Sequence, residues 1–370
     1  MELVVPKNDL ARELQLLQGI VERKNTIAIL ANIRLEAKED QLHFLATDLD
    51  VGLRSHCGAS VSKPGALTVQ AKKLHEIVRA LPESDVRISD EKGTSVRIAA
   101  DNFTSRLQTM SLDEFPTLPE TAAEPATRLP GDRLRVMIEK IQFAMTSGDQ
   151  RYYLNGALLV IRPEGISLVA TDGHRLSVVT AAIEGLAAKD EDRRILLPRK
   201  TVSELSRLLA ETDGEVALSR GENHLFFELG TRLLISRVVE AQFPAYEKVI
   251  PRGHTKRVEF ERERLNAAIR RVSLLSNERS KAVKLEFEPG KVEISSSSSE
   301  FGEARETLSV DYPGEPVRTS FNAQYLIDFL SVVGTDTVAM ELKDEVSQAV
   351  MKPVGSEDLD YTYVLMPMRV

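Results

Sequence analysis

The chain repeats itself. The segment QLHFLATDLDVGLRSHC at 41–57 aligns with GISLVATDGHRLSVVTA at 165–181, placing Asp48 over Asp172. A third copy, KVEISSSSSEFGEARET at 291–307, keeps the alternation of apolar and polar residues but has no ATD. Alternation at a period of two, broken by a polar turn, predicts a hairpin in each copy. A second motif follows each hairpin: ALTVQAKKLHEIVRALPESDVRISD (66–90), ILLPRKTVSELSRLLAETDGEVALS (195–219) and VRTSFNAQYLIDFLSVVGTDTVAMEL (317–342). Each of these reads strand, helix, turn, strand, with Glu76, Glu204 and Asp328 at equivalent helix positions. A further helix opens each copy, over 7–24, 130–147 and 260–276. Its apolar stripe is Leu10, Leu14, Leu17 and Val21 in the first, Leu134, Ile138 and Ile141 in the second, and Leu265, Ile269 and Val272 in the third.

Such a repeat restricts the chain to three like domains, expected at 1–124, 125–252 and 253–370. Pro and Gly in PETAAEPATRLPG (119–131) and PRGHTK (251–256) mark the linkers. Within each copy the pattern is itself doubled. About two helices and eight strands per domain follow, with helices packed on antiparallel sheets, an α+β class.

Several functions are excluded. The chain of 370 residues has a single cysteine, Cys57, so neither a disulfide framework nor a multi-cysteine zinc site can form. None of its six histidines stands four residues from another, and no glycine-rich phosphate loop occurs. No metal and no cofactor are expected. No apolar run approaches the roughly 18 residues of a membrane span. The N-terminus MELVVPKNDLARELQ lacks the basic and apolar stretches of a signal peptide. A cytoplasmic protein with no membrane partner is expected.

The stretch ATDGHRLS (170–177) puts Asp172, His174 and Arg175 on one turn, which looks like catalytic chemistry. The repeat argues against that. Asp50 and Glu300 stand where His174 does, so the turn does not require an imidazole. An Asp at a turn can instead accept from backbone N–H groups two residues on. Asp172 therefore reads as a structural device, and His174 and Arg175 as a solvated turn or a surface for a partner.

The net charge is −8, yet the predicted helices are locally basic. Lys72, Lys73 and Arg79 lie on one, Arg199, Lys200 and Arg207 on another, Arg262, Arg264, Arg270 and Arg271 on a third, and the first helix ends in Arg23 and Lys24. These charges read either as pairs along solvated helices or as phosphate contacts that carry no sequence information.

RYYLNG (151–156), LVATDGHRLS (168–177), QFPAYEKVIP (242–251), LSNERSKAV (275–283) and the terminal YVLMPMRV (363–370) together resemble the bacterial DNA polymerase III β subunits, the sliding-clamp family. The resemblance runs from the first helix to the last residue. It implies a non-catalytic processivity factor: a head-to-tail homodimer closing into a ring around duplex DNA, helices inside and sheets outside. It also implies a peptide groove for the polymerase III α subunit, the clamp loader, other DNA polymerases and repair proteins. By motif, the groove takes Leu154, Thr171, Gly173, His174, Arg175 and Leu176, then Pro244 and Val249, then Val364, Met366, Pro367, Met368 and Arg369 from the tail, which forms the facing wall. DNA contacts are carried to Lys24, Gln150, Tyr152 and Tyr153, joined by Lys72, Arg199 and Lys200 from the basic helices. Dimer contacts are carried to Leu274 and Leu275, with Lys73 and Leu107 opposite. The tail ends in Val370 where the family often has Leu.

Overall fold

A computed structural model gives the structure; it describes residues 1–21, 27–91, 93–120, 127–184, 186, 193–355 and 358–369. The first repeat runs β1 (Glu2–Pro6), α1 (Lys7–Leu17), β2 (Asn32–Lys38), β3 (Gln41–Thr47), β4 (Val51–Gly58), β5 (Ser60–Lys63), β6 (Gly65–Gln70), α2 (Ala71–Ala80), β7 (Asp85–Glu91), β8 (Ser95–Ala100) and β9 (Phe103–Gln108). The second runs β10 (Thr127–Pro130), α3 (Gly131–Ile141), β11 (Gly156–Arg162), β12 (Gly165–Thr171), β13 (Arg175–Ala182), β14 (Arg193–Pro198), α4 (Arg199–Ala210), β15 (Glu215–Arg220), β16 (His224–Leu229) and β17 (Arg232–Arg237). The third runs β18 (Lys256–Glu261), α5 (Arg262–Ser273), β19 (Ala282–Glu288), β20 (Lys291–Ser298), β21 (Gly302–Ser309), β22 (Val317–Asn322), α6 (Ala323–Val332), β23 (Thr337–Leu342), β24 (Ala349–Val354) and β25 (Leu359–Leu365). Among the described residues two helices and eight strands recur in each repeat as expected, with β5 extra in the first.

The opening helices are shorter than the expected 7–24, 130–147 and 260–276. They end at Leu17, Ile141 and Ser273. In the second repeat Ile141 leaves helical geometry (φ −121°) and the chain tightens into a 3-10 turn over Gln142–Ala144. The apolar spacing continues through that turn, which is why periodicity alone overruns the helix.

The described residues form two compact units that cut across the middle repeat. Unit 1, Met1–Arg135 with Lys200–Val238, holds the first repeat and the second half of the second. Its two sheets are ordered β5-β1-β7-β8-β9 and β10-β15-β16-β17-β4-β3-β2-β6. Unit 2, Val136–Arg199 with Val239–Val370, has sheets ordered β14-β11-β12-β13-β25-β24-β23-β18 and β21-β20-β19-β22. Each eight-stranded sheet is thus shared by two repeats, joined by β4 with β17 in unit 1 and by β13 with β25 in unit 2.

The helices bury one stripe each against these sheets. On α1, Leu10, Leu14 and Leu17 are fully buried. Glu13 is buried among them, and Arg232 of β17 meets it with two hydrogen bonds, Nη2 to Oε1 at 2.7 Å and Nε to Oε2 at 3.3 Å. A carboxylate can sit there only because a guanidinium matches it. Cys57 is buried on β4, and burial pushes its thiol up to about 12. Among the described residues no helix is long and apolar enough to cross a membrane, and no group of three or more His, Cys, Asp or Glu could hold a metal ion.

Candidate partner-binding groove

The ATD turn is a backbone device in both copies. Asp172 Oδ1 accepts from the backbone N–H of His174 (2.9 Å) and of Arg175 (3.0 Å). Asp48 Oδ1 accepts from Asp50 (3.0 Å) and Val51 (2.7 Å) in the same way. The threonine before each Asp closes the turn from the other side: Thr171 Oγ1 donates to the Arg175 carbonyl and Thr47 Oγ1 to that of Val51. In the third copy Ser298 Oγ substitutes for the Asp, accepting from the N–H of Glu300 at 3.2 Å. The turn needs a left-handed residue after the Asp. The second copy supplies Gly173 (φ 89°), and the first forces Leu49 into the same region (φ 81°).

Asp172 therefore belongs to the fold, as its repeat partner implies. Arg175 departs from the solvated-turn reading. Its side chain is only 10% exposed. Nε donates to Asp172 Oδ2 (3.0 Å), Nη1 to Asp328 Oδ2 (2.6 Å) and Nη2 to the Phe143 carbonyl (2.5 Å). The guanidinium lies 4.2 Å from the Tyr325 ring centroid and 5.2 Å from that of Phe143. Burial works against its charge, but the Asp328 and Asp172 carboxylates favour the charged guanidinium, and its pKa is raised. The Tyr363 hydroxyl is itself pushed far up by burial and stays neutral. Arg175 is thus a cage that ties the turn to α6 and to the turn after α3. His174 beside it is exposed, and its carbonyl accepts from the N–H of Met366 at 2.9 Å.

Next to the turn lies an apolar floor. Directly opposed residues on neighbouring strands share a face. The registers Leu158↔Val169, Val169↔Val178, Leu158↔Leu196, Leu176↔Val364 and Val350↔Val364 put these side chains on one surface. Phe243 and Tyr246 pack against it, and Tyr153, Val239, Ala241 and Ile250 lie at its margin. Val249 (43% exposed) and Met366 (42%) are large apolar side chains left open.

The structure brings most of the expected groove residues to this place and re-assigns some. Thr171 and Gly173 form the turn and Pro244 is half-buried beside Phe243. Leu154 is 2% exposed and lies under the surface rather than on it. Val364 is strand-paired beside Leu176, so the tail adds to the floor, and the segment through Phe243, Tyr246 and Val249 takes the place of the expected facing wall. Beyond it Pro367 is half-buried, Met368 donates its N–H to the Ser320 carbonyl at 2.7 Å, and Arg369 is exposed. Sequence reasoning missed the cage partners Phe143, Tyr325, Asp328 and Tyr363. It also missed the floor residues Leu158, Val178, Leu196 and Val350; β11 (GALLVIR) is apolar on both faces, so a period-two pattern does not tell the floor side from the core side.

The expected DNA residues separate. Gln150 and Arg199 are exposed, and Lys72 is exposed with Glu76 3.8 Å away. Tyr153 packs at the floor's margin. Lys200 is a correction: its ammonium is bonded to Asp48 and to the Ile20 carbonyl, so it holds the first ATD turn and is not a free cation. Lys24, Val370 and the side chain of Tyr152 lie outside the described residues. Of the expected dimer contacts, Leu274 is 79% exposed, Leu275 and Leu107 are half-buried, and Lys73 bonds Glu76 at 2.8 Å.

Three like modules joined in sequence through shared sheets, with an open apolar groove among the described residues, define the architecture. Comparison with known proteins gives the family. Residues 1–119, 128–245 and 247–369 match the N-terminal, central and C-terminal domains of the DNA polymerase III beta subunit. The beta sliding clamp of Pseudomonas putida is 36% identical over 377 residues, spanning all of both chains. The crystal structure of the DNA polymerase III subunit beta from Pseudomonas aeruginosa superposes with a TM-score of 0.92 at 34% identity, again over the whole of both chains. A sliding clamp from Bartonella birtlesii, bound to griselimycin, does so at 0.94 and 32%, with both chains fully covered. The chain belongs to the DNA polymerase III β subunit family, the β sliding clamps.

Proposed function

We propose that the chain acts as a head-to-tail homodimeric ring of six domains, with repeats at 1–124, 125–252 and 253–370, that encircles duplex DNA and slides along it. One observation carries this reading: the two internal junctions are built alike, and the chain is left with the two halves of a third. Aligning the repeats by strand register puts Val51, Arg175 and Gly302 at one position and Ser236, Leu365 and Leu107 at another. Val51 pairs with Ser236, and Arg175 with Leu365. The leftover strands, β21 and β9, each end a sheet. Joining them between protomers sets Leu107 opposite Gly302 of the partner subunit and Ser105 opposite Ala304 of the partner subunit. Leu274 supports the same joint. It stands where Phe143 does in the second repeat, and Phe143 packs edge-on to Tyr363 of β25 at 5.5 Å, whereas Leu274 is bare. Lys72 occupies the α2 position that Lys200 occupies in α4, so we assign it to this junction. Gln150 and Arg199 remain as phosphate contacts. A heterologous joint that closes after two copies makes a ring, which needs only weak, salt-screened contacts to hold DNA.

A chain carrying Ser105→Cys and Ala304→Cys tests this. Directly opposed residues on antiparallel strands have Cα atoms about 4.5–5.5 Å apart, within disulfide reach. Oxidation yields a covalent dimer that stays on circular DNA, and moving one cysteine to Glu303 abolishes the bond. A chain that sediments as a monomer at micromolar concentration, or that cross-links in neither register, overturns the ring.

The groove beside His174 is read as the site for partner peptides of the polymerase III α subunit, the clamp loader, other DNA polymerases and repair proteins, in the cytoplasm. Open Val249 and Met366 over a preformed apolar floor suit an adaptable site for several peptides. Removing residues 366–369 should abolish peptide binding while leaving dimerisation intact.

A further inference from the structure

One face of the unit 1 sheet holds a cleft of about 530 Å3. It stands at the first junction where the partner groove stands at the second. Strand registers place Arg34 at the position of Leu158, Arg54 at that of Val178, Phe226 at that of Val350 and Ile235 at that of Val364. The place is the same and the chemistry differs. The apolar end is already covered by the chain itself, since Leu118 packs on Phe226 and Ile235. The Leu118 carbonyl accepts from Arg54 Nη2 at 2.9 Å.

The open part is rich in donors. Glu36 is engaged by Arg34 (3.1 Å) and Lys38 (3.5 Å). Arg34 Nε and His43 Nε2 are buried and meet no acceptor among the described residues. A guanidinium N–H can only donate, so the group that completes this cleft is an acceptor. Burial and the nearby Arg34 lower the pKa of Arg54, although Glu120 partly offsets them, so an anion would relieve that strain. Glu120 and Glu228 also line the cleft and limit how much negative charge it accepts. Leu45 and Leu233 give it an apolar strip.

We propose that this cleft binds a phosphate ester of the size of a nucleoside monophosphate. Its phosphate oxygens accept from Arg34, Arg54 and His43, and its organic part lies on Leu45 and Leu233. The volume falls within the range of about 300–1,000 Å3 typical of small-molecule sites, and inorganic phosphate alone would leave most of it empty.

The test titrates the full-length protein with deoxyadenosine monophosphate, deoxyadenosine and inorganic phosphate, followed by calorimetry and by the histidine ring resonances. The nucleotide is expected to saturate and to shift His43, inorganic phosphate to compete with it more weakly, and deoxyadenosine not to bind. Arg34→Met and Arg54→Met should each weaken nucleotide binding by roughly tenfold or more, as loss of a charge-assisted bond does. Arg54 also anchors Leu118, so Arg34→Met, with an unchanged melting temperature, decides if the other variant does not fold. Failure of the nucleotide to saturate, equal affinity in Arg34→Met, or equal binding of deoxyadenosine overturns the proposal. The outcome is independent of the ring and of the partner groove.

Discussion

Replacing Arg175 by Met separates a buried cage from a surface contact. The change keeps the aliphatic stem and removes the charge. It leaves the Asp172 and Asp328 side chains, 15% and 20% exposed, facing each other without their shared cation. It also strands the Phe143 carbonyl and ends the contact with the Tyr325 ring. Removing one partner of a buried ion pair costs about 3–5 kcal/mol, against a total stability of about 5–15 kcal/mol. Arg175→Met should therefore lower the urea midpoint sharply and strip hydrogen-exchange protection from β13, β25 and α6. His174→Ala, at the exposed side chain of the residue next to Arg175, should stay within about 0.5 kcal/mol of the parent while weakening peptide binding. If Arg175→Met loses peptide binding yet unfolds at the parent midpoint, Arg175 is a groove contact only and not a cage.

Three further outcomes follow from single sites. Leu49→Gly should stabilise unit 1 by about 1 kcal/mol in urea titration, since relief of a left-handed φ worth about 1–3 kcal/mol exceeds the backbone entropy that glycine adds; the side chain is 48% exposed, so little burial is lost. Glu204 has its pKa raised by burial, which Arg207 and Lys200 only partly offset and Asp48 reinforces. A raised carboxyl contributes stability that is present below its unfolded pKa and lost as pH rises through the folded one, so Glu204→Gln should flatten that part of the stability-against-pH curve. Cys57, buried with its thiol at about 12, should resist thiol-specific reagents at pH 8 in the native state and react at once in denaturant.

How much of this is legible in the sequence depends on distance along the chain. The hairpins and the Asp turns are local, and comparing three copies exposes them: Asp48 and Asp172 accept from the N–H groups two and three residues on, and Ser298 from the one two residues on. The cage is not local. Arg175 reaches Phe143 across 32 positions and Asp328 across 153, and no periodicity reports such a pairing. Lys200 misleads for the same reason, because a helix cation and a distant turn aspartate each look solvated until the sheet of unit 1 brings them together. The tail is half legible. Its apolar residues announce a groove, but only the Leu176↔Val364 register shows that they extend the floor.

Why one junction opens a groove and the other is closed comes down to two aligned positions. Leu118 and Tyr246 follow the EFP and QFP segments at the same spacing, and Gly52 and Leu176 pair with Ile235 and Val364. With glycine at 52 the Leu118 side chain lies down over the sheet: a β-carbon added there would stand 2.4 Å from Leu118 Cδ1. At the second junction Leu176 fills that space itself, and Tyr246 packs with Phe243 at the edge of the floor instead. Gly52→Ala should then drive Leu118 off Phe226 and Ile235. The close atom is the far end of the Leu118 side chain, so the cost falls at the low end of overpacking, about 1 kcal/mol. The displaced segment should lose amide protection around 115–118, and the uncovered Phe226 and Ile235 should bind an apolar dye that the parent does not. If Gly52→Ala is as stable as the parent and binds no dye, Leu118 is not what closes the first junction, and the charged cleft beside it would have to be explained without it.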